Sequence, residues 1–237
     1  MNDEQRLAVA RVSGQVCKGR ALSIMHVGAP TTDSAVKAAK VARESGCDAI
    51  CCVPPFFYQP SDASTVEHYQ RVADAADLPF FAYNLPHLTN VEITVPLMEK
   101  LIRGVPQLTG LKHSSTNFPE LMEFAAMGLR AFSGNGMLFL PALANGGVGV
   151  VDAPPGVAPW LYVEIFRAWE SGDIKKATSL QAKTREIVGL VRTYGAVQHV
   201  AKLIFSQRLG IDCGEPLPPV NRLTDEQQKI ILARAAE

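Results

Sequence analysis

The sequence has no charge of one sign to spend. Its 23 Lys and Arg residues are balanced by 23 Asp and Glu residues. A protein that binds nucleic acid without sequence preference needs a basic face to displace counterions, and a polybasic membrane anchor needs the same excess. Neither is available here. No apolar run reaches the roughly 18 residues needed to span a bilayer, and MNDEQRLAVARV at the start lacks an apolar signal-peptide core. Cysteine is scarce: Cys17, Cys47, Cys51, Cys52 and Cys213 are odd in number, and no Cys-x-x-Cys pair exists. That pattern argues against structural zinc and against a disulfide framework, and it fits a reducing, cytoplasmic setting. His26, His68, His87 and His199 share no metal-ligand spacing. What remains is ordinary globular composition, 47% hydrophobic and 19% charged, which excludes disorder.

Short apolar runs alternate with helical patterns along the first two thirds of the chain. ALSIMHVG (21–28), DAICCVPPFF (48–57), LPFFAYN (78–84), LTGLKHSS (108–115), RAFSGNG (130–136) and GVGVVDA (147–153) read as strands. They are apolar throughout rather than alternating, as parallel strands covered on both faces are. Thr31 and Ser61 stand where N-caps belong, and Gly46 and Gly104 lie past helix ends. After residue 157 the strand signal stops and four helical segments follow. The reading is α/β: a partial (β/α) barrel over 1–156, then a last barrel helix and helical extension over 157–237, in one structural unit. A doubly wound sheet would carry a Gly-rich phosphate turn after its first strand, and HVGAPTTD is not one. A TIM-type (β/α)8 barrel has eight strands, and only six are visible, the two absent ones belonging at the front.

Lys112 lies near the C-terminal end of an otherwise apolar strand, the end at which parallel barrels place their active sites. A lysine there is costly to bury unless paired or functional, and it can form a Schiff base with a carbonyl substrate. A strand-end lysine whose stem alone is buried is the plainer reading. Tyr83 ends the preceding strand. It is either an aromatic plug or a proton shuttle, and the two tips together would overlook one cavity. His113 should point away from Lys112 by strand alternation. Asp152, at the end of the sixth strand, suits either a pocket or a cap.

AYNLP (82–86), GLKHSS (110–115), FSGNG (132–136) and GGVGVV (146–151), in that order, resemble the dihydrodipicolinate synthase / N-acetylneuraminate lyase family of pyruvate-dependent class I aldolases. HVGAPTTDSAVKAAKVARESGCDAICCVPPFFYQPS (26–61) resembles that family's third and fourth βα units. The resemblance implies a Schiff-base lysine at Lys112 and a catalytic tyrosine at Tyr83. It implies substrate contacts at Ser114, Gly134 and the backbone of Val151. It also implies pyruvate or another keto acid and an aldehyde as substrates, no metal or organic cofactor, and a homo-oligomer, a dimer or tetramer, with the apolar FFYQP loop (56–60) at an interface. The family's N-terminal β-α-β segment, ending in a Gly-Thr-Thr-Gly-Glu type loop, has no counterpart here, and an upstream extension carrying it is expected. Without that loop the chain could instead be an inactive member kept as a binding or scaffold subunit. Leu88 stands where the dihydrodipicolinate synthases carry an arginine. Gly136 and Met137 stand where the sialate lyases carry an acidic pair, and Phe57 where many relatives have a relay tyrosine. These departures favour a 2-keto-3-deoxy sugar acid or related hydroxy-ketoacid over 4-hydroxy-tetrahydrodipicolinate synthesis.

Overall fold

A computed structural model of the chain describes residues 2–235, which divide into two compact units. The first comprises residues 2–134 and Asn145–Val148, the second Asn135–Ala144 and the chain from Gly149 onward.

In the first unit the apolar runs form strands β1 (Ile24–His26), β2 (Ala49–Cys52), β3 (Phe80–Asn84), β4 (Leu108–His113) and β5 (Arg130–Ser133). They pair in parallel in chain order, β1-β2-β3-β4-β5. Between and before them lie helices α1 (Asp3–Cys17), α2 (Thr32–Glu44), α3 (Asp62–Ala76), α4 (Pro86–Thr89), α5 (Val95–Gly104) and α6 (Phe118–Ala126). The expected caps are in place. Thr31 Oγ1 accepts from the Ser34 N–H at 3.3 Å, and Ser61 Oγ from the Ser64 N–H at 3.2 Å. Each bond satisfies an N–H that the first helical turn leaves unpaired. The four-residue α4 is too short for periodicity to announce.

Register and alternation sort the strand side chains onto two faces. Ile50, Phe80, Ala82, Leu111 and Ala131 share the face against the helices and are fully buried. Each large apolar side chain so buried is worth about 1.5–3 kcal/mol. Helix α2 meets the unit's core with Ala35, Ala38, Ala39 and Ala42, whose small size permits close approach. The other face carries His26, Cys51, Tyr83, Lys112 and Phe132, none of them fully buried. The expectation of strands covered equally on both faces holds only for the helix side.

The second unit contains α7 (Phe139–Ala144), strand β6 (Gly149–Val150), α8 (Ala153–Val157), α9 (Pro159–Glu170), α10 (Ile174–Arg192), α11 (Val197–Leu209) and α12 (Asp225–Ala235). Phe139, Tyr162, Ile165, Ala177 and Leu180 build one apolar cluster among α7, α9 and α10. Val157, Val191, Val200, Ile204, Leu223 and Ile231 build a second around α8, α10, α11 and α12. Gln181 joins elements within this unit, accepting from the Leu140 N–H at 2.8 Å and donating to the Gly136 carbonyl at 3.1 Å. The sixth strand is shorter than the expected 147–153 because Asp152 leaves it. Its Oδ1 accepts from the Ala153 N–H at 2.8 Å and caps α8. Among the described residues no helix is long and apolar enough to cross a membrane.

Candidate active site

Parallel pairing puts Tyr83 and Lys112 side by side at the C-terminal ends of β3 and β4, as register partners on the less covered face. The Lys112 Nζ lies 4.1 Å from the centroid of the Tyr83 ring, a cation–π distance. The amine therefore lies over the tyrosine ring, and both groups are only partly buried. Strand alternation sends the next residues, Asn84 and His113, to the opposite face, where both are buried. There His113 Nε2 donates to the Asn117 carbonyl at 2.9 Å, which leaves Nδ1 as an acceptor facing Asn84 Nδ2 at 3.3 Å. Burial pulls the His113 imidazole below its ordinary pKa, against an upward push from the Asn117 carbonyl. It stays neutral and packs edge-on against Phe124, with ring centroids 5.6 Å apart.

Asn84 also closes the loop that follows β3. Its Oδ1 accepts from the Ile93 N–H at 3.0 Å and its Nδ2 donates to the Ile93 carbonyl at 3.2 Å. This side chain pins the segment carrying α4, and Tyr83 is its immediate neighbour. In the sequence Asn84 is only the last residue of an apolar strand run. A buried amide between two strand ends is visible once register is known.

Ser114 and Gly134 close the same end of the sheet. Ser114 N–H donates to the Asn84 carbonyl at 2.8 Å, and Gly134 N–H to the His113 carbonyl at 2.7 Å. A Cβ on residue 134 would lie 1.8 Å from Ser114 Oγ, so the glycine is what allows the hydroxyl its position. Tyr83, Lys112, Ser114 and Gly134 are thus assembled within the first unit, on adjoining strand ends. Val151, 44% exposed, follows β6 in the second unit.

Two further residues adjoin the pair on the same face. The ring of His26 stands edge-on to Tyr83, with centroids 6.0 Å apart and planes at 88°. Desolvation, reinforced by the positive charges of Arg6 and Lys112, holds its pKa below the ordinary value. Burial pushes the Cys51 thiol up to about 12, only partly offset by the Lys112 charge, so it is a protonated spectator. His26 had been read only for metal spacing. Among the described residues no group of three or more His, Cys, Asp and Glu could hold a metal ion.

The positions at which the sequence departs from the resembled family are also placed. Leu88 sits on α4 and is 69% exposed. Gly136 opens a 3-10 turn in the second unit, and a Cβ there would come within 2.5 Å of the Tyr162 hydroxyl. The absence of a side chain at 136 therefore accommodates Tyr162. Asp152 is occupied as a cap, accepting from the Gly136 N–H at 3.0 Å and lying 3.6 Å from Arg192. Phe57 and Tyr58 project from the loop after β2, packed on each other with centroids 5.0 Å apart.

The chain is similar to known proteins along most of its length. The chain is 26% identical over 238 residues to the 4-hydroxy-tetrahydrodipicolinate synthase of Nitratidesulfovibrio vulgaris, covering 99% of this chain and 81% of that one. It is 32% identical over 216 residues to an uncharacterised DapA-like lyase of Halobacterium salinarum, covering 90% and 70%. In structure it resembles the sialic acid aldolase of Ruminococcus gnavus with a TM-score of 0.93 over 100% of this chain and 79% of that one, at 24% identity, a likeness of fold. The parallel βα array is thus TIM-barrel-like in kind. The model of the dihydrodipicolinate synthetase family matches residues 1–236, and the chain belongs to that family.

Proposed function

We propose that the chain is a class I lyase that binds pyruvate or a related 2-keto acid as a Schiff base on Lys112 and makes or breaks a carbon–carbon bond next to it. The observation that carries this reading is the Lys112 amine lying 4.1 Å from the Tyr83 ring centroid, on register-paired strand ends. The amine adds to the ketone carbon, the ketone oxygen leaves as water, and the resulting iminium withdraws electrons from the adjacent carbon. Loss of a proton from that carbon gives an enamine, which attacks an aldehyde carbon and forms the new bond. Water then hydrolyses the iminium and restores the amine. Tyr83 moves the proton in these steps, and Ser114 and Gly134 line the substrate. The iminium supplies the polarisation that a metal would otherwise provide.

Incubation with pyruvate and borohydride tests this directly. A reduced three-carbon adduct is expected on the peptide containing Lys112 and is expected to vanish in Lys112→Ala. An intact chain that carries no adduct refutes the lyase reading and favours a binding or scaffold subunit.

The acceptor we assign is the aldehyde of a 2-keto-3-deoxy sugar acid or related hydroxy-ketoacid. The exposed Leu88 offers an acidic aldehyde no positive charge, which supports this choice. The second reading, 4-hydroxy-tetrahydrodipicolinate synthesis, is favoured by the name of the Nitratidesulfovibrio relative. A panel of aldehydes assayed with pyruvate separates them, and a strong preference for aspartate semialdehyde reverses the order. We further read the chain as six β units of the barrel with a helical C-terminal appendage, acting in the cytoplasm as a homo-oligomer. Phe57 and Tyr58, 83% and 82% exposed, support an apolar interface at 56–60, which sedimentation checks: a clean monomer removes that part.

A further inference from the structure

The mechanism leaves His26 unused, yet among the described residues its ring is the one that stands edge-on to Tyr83 on the open face. Three observations bear on it. Its strand places it there: His26 is the register partner of Cys51, which pairs with Phe81, two residues before Tyr83 on the same face. It therefore lies one layer below Tyr83, and its ring reaches upward to meet the phenol ring edge-on at 6.0 Å. The chain also clears space for it. A Cβ on Gly28 would come within 2.9 Å of His26 Nε2 and 2.6 Å of Val53 Cγ2, so the imidazole lies over a bare backbone that only glycine provides. The Gly28 carbonyl in turn accepts from Arg6 Nη2 at 3.0 Å, which steadies that backbone. The ring itself is not tied up: among the described residues no hydrogen bond to His26 is made.

We infer that His26 is a positioning residue for the proposed reaction: wedged between Gly28 and Tyr83, its ring fixes the tilt of the Tyr83 ring and thereby where the phenol hydroxyl stands relative to the Lys112 amine. His26 meets the Tyr83 ring edge-on, and the Lys112 amine lies over it. Edge-to-face contact orients the phenol without a hydrogen bond, so the hydroxyl stays available for proton transfer. What the wedge requires is a flat ring of this size, not its nitrogens. Desolvation first, then the positive charges of Arg6 and Lys112, favours the neutral ring.

This inference rests on the Schiff-base reading, and its test separates the two. Pyruvate is incubated in deuterated buffer with the wild-type chain and with His26→Ala, His26→Phe and His26→Gln. Exchange at the pyruvate methyl group reports proton transfer, and borohydride trapping at Lys112 reports iminium formation. Expected is a His26→Ala chain that traps pyruvate to the wild-type extent but exchanges about tenfold more slowly, a loss matching one misplaced orienting contact. His26→Phe is expected to restore exchange and His26→Gln not to. A merely structural residue would lower both readouts together. Unchanged exchange in His26→Ala overturns the inference, as does a phenylalanine variant no better than glutamine. If His26→Ala fails to fold, the phenylalanine and glutamine pair decides on the same terms. A wild-type chain that traps no pyruvate overturns the lyase reading and this inference with it. A wild-type chain that traps and exchanges, beside an indifferent His26→Ala, overturns the inference alone.

Discussion

Replacing Asn84 with alanine removes the side chain that ties the end of β3 to residue 93. Three hydrogen bonds go at once, two to the Ile93 backbone and one to His113 Nδ1. Ile93 is fully buried, so water cannot take over. Each buried polar group left without a partner costs about 1–3 kcal/mol, and some backbone relaxation recovers part of that. A net loss of about 3 kcal/mol is reasonable, and at about 2–4 °C per kcal/mol for a chain of this length it lowers the melting midpoint by about 6–12 °C. Thermal unfolding followed by circular dichroism reads it. Asn84→Leu is the informative companion, because leucine refills the volume but satisfies none of the three groups. If the polar accounting is right, leucine does not rescue. A leucine variant with the wild-type midpoint would show that volume alone holds the loop. An alanine variant that melts unchanged would show that the network contributes nothing.

Acidification should destabilise the fold through its buried imidazoles. Burial first, then the nearby Arg71 charge, holds His68 to about 4, and burial lowers His113 as well. Between about pH 6.5 and pH 4 the unfolded chain takes up protons that the folded chain refuses, so stability present above pH 6.5 is lost progressively as pH falls. Urea midpoints measured at pH 7 and pH 5 check this, and equal values would refute it. Gly134→Ala forces a Cβ to within 1.8 Å of Ser114 Oγ and 2.9 Å of the His113 carbonyl. Such overpacking costs about 1–3 kcal/mol and displaces Ser114, so pyruvate trapping at Lys112 should weaken together with stability. Full trapping in a chain of unchanged stability would refute it.

Much of this site can be read before any coordinates. Lys112 stands out because a lysine in an apolar parallel strand is unusual, and its place beside Tyr83 at the C-terminal strand ends sets it apart from a lysine that merely buries its stem. Tyr83 falls beside it because chain-order pairing makes consecutive strands neighbours. What pattern could not reach depends on register. His26 and Tyr83 lie on strands separated by β2, and only the stagger of one strand on the next makes their rings meet. The Asn84–His113 pair is hidden for the same reason, since each residue alone looks like a polar strand end. Boundaries suffered where side chains compete with the ladder. Asp152 ends β6 by capping α8, although the apolar run continues to it. Pro86–Thr89 makes barely one helical turn, too short for an apolar period to show.

The two adjacent cysteines at the end of β2 show what strand alternation does to chemical reactivity. Cys51 turns toward the Lys112 face, while Cys52 turns under α3, where its thiol donates to the Val53 carbonyl at 3.2 Å and lies 3.6 Å from His68 Nε2. Neighbours in sequence, they sit on opposite sides of a sheet, and burial raises both thiols far above the range in which a thiolate forms. An oxidant or alkylating reagent therefore finds Cys52 buried and Cys51, though partly accessible like Cys17 and Cys213, held as an unreactive thiol. A vicinal disulfide between them would have to twist β2 out of register. The lysine site thus has a sulfur close by that is chemically silent for as long as the sheet is intact, and its labelling would announce that the sheet had opened.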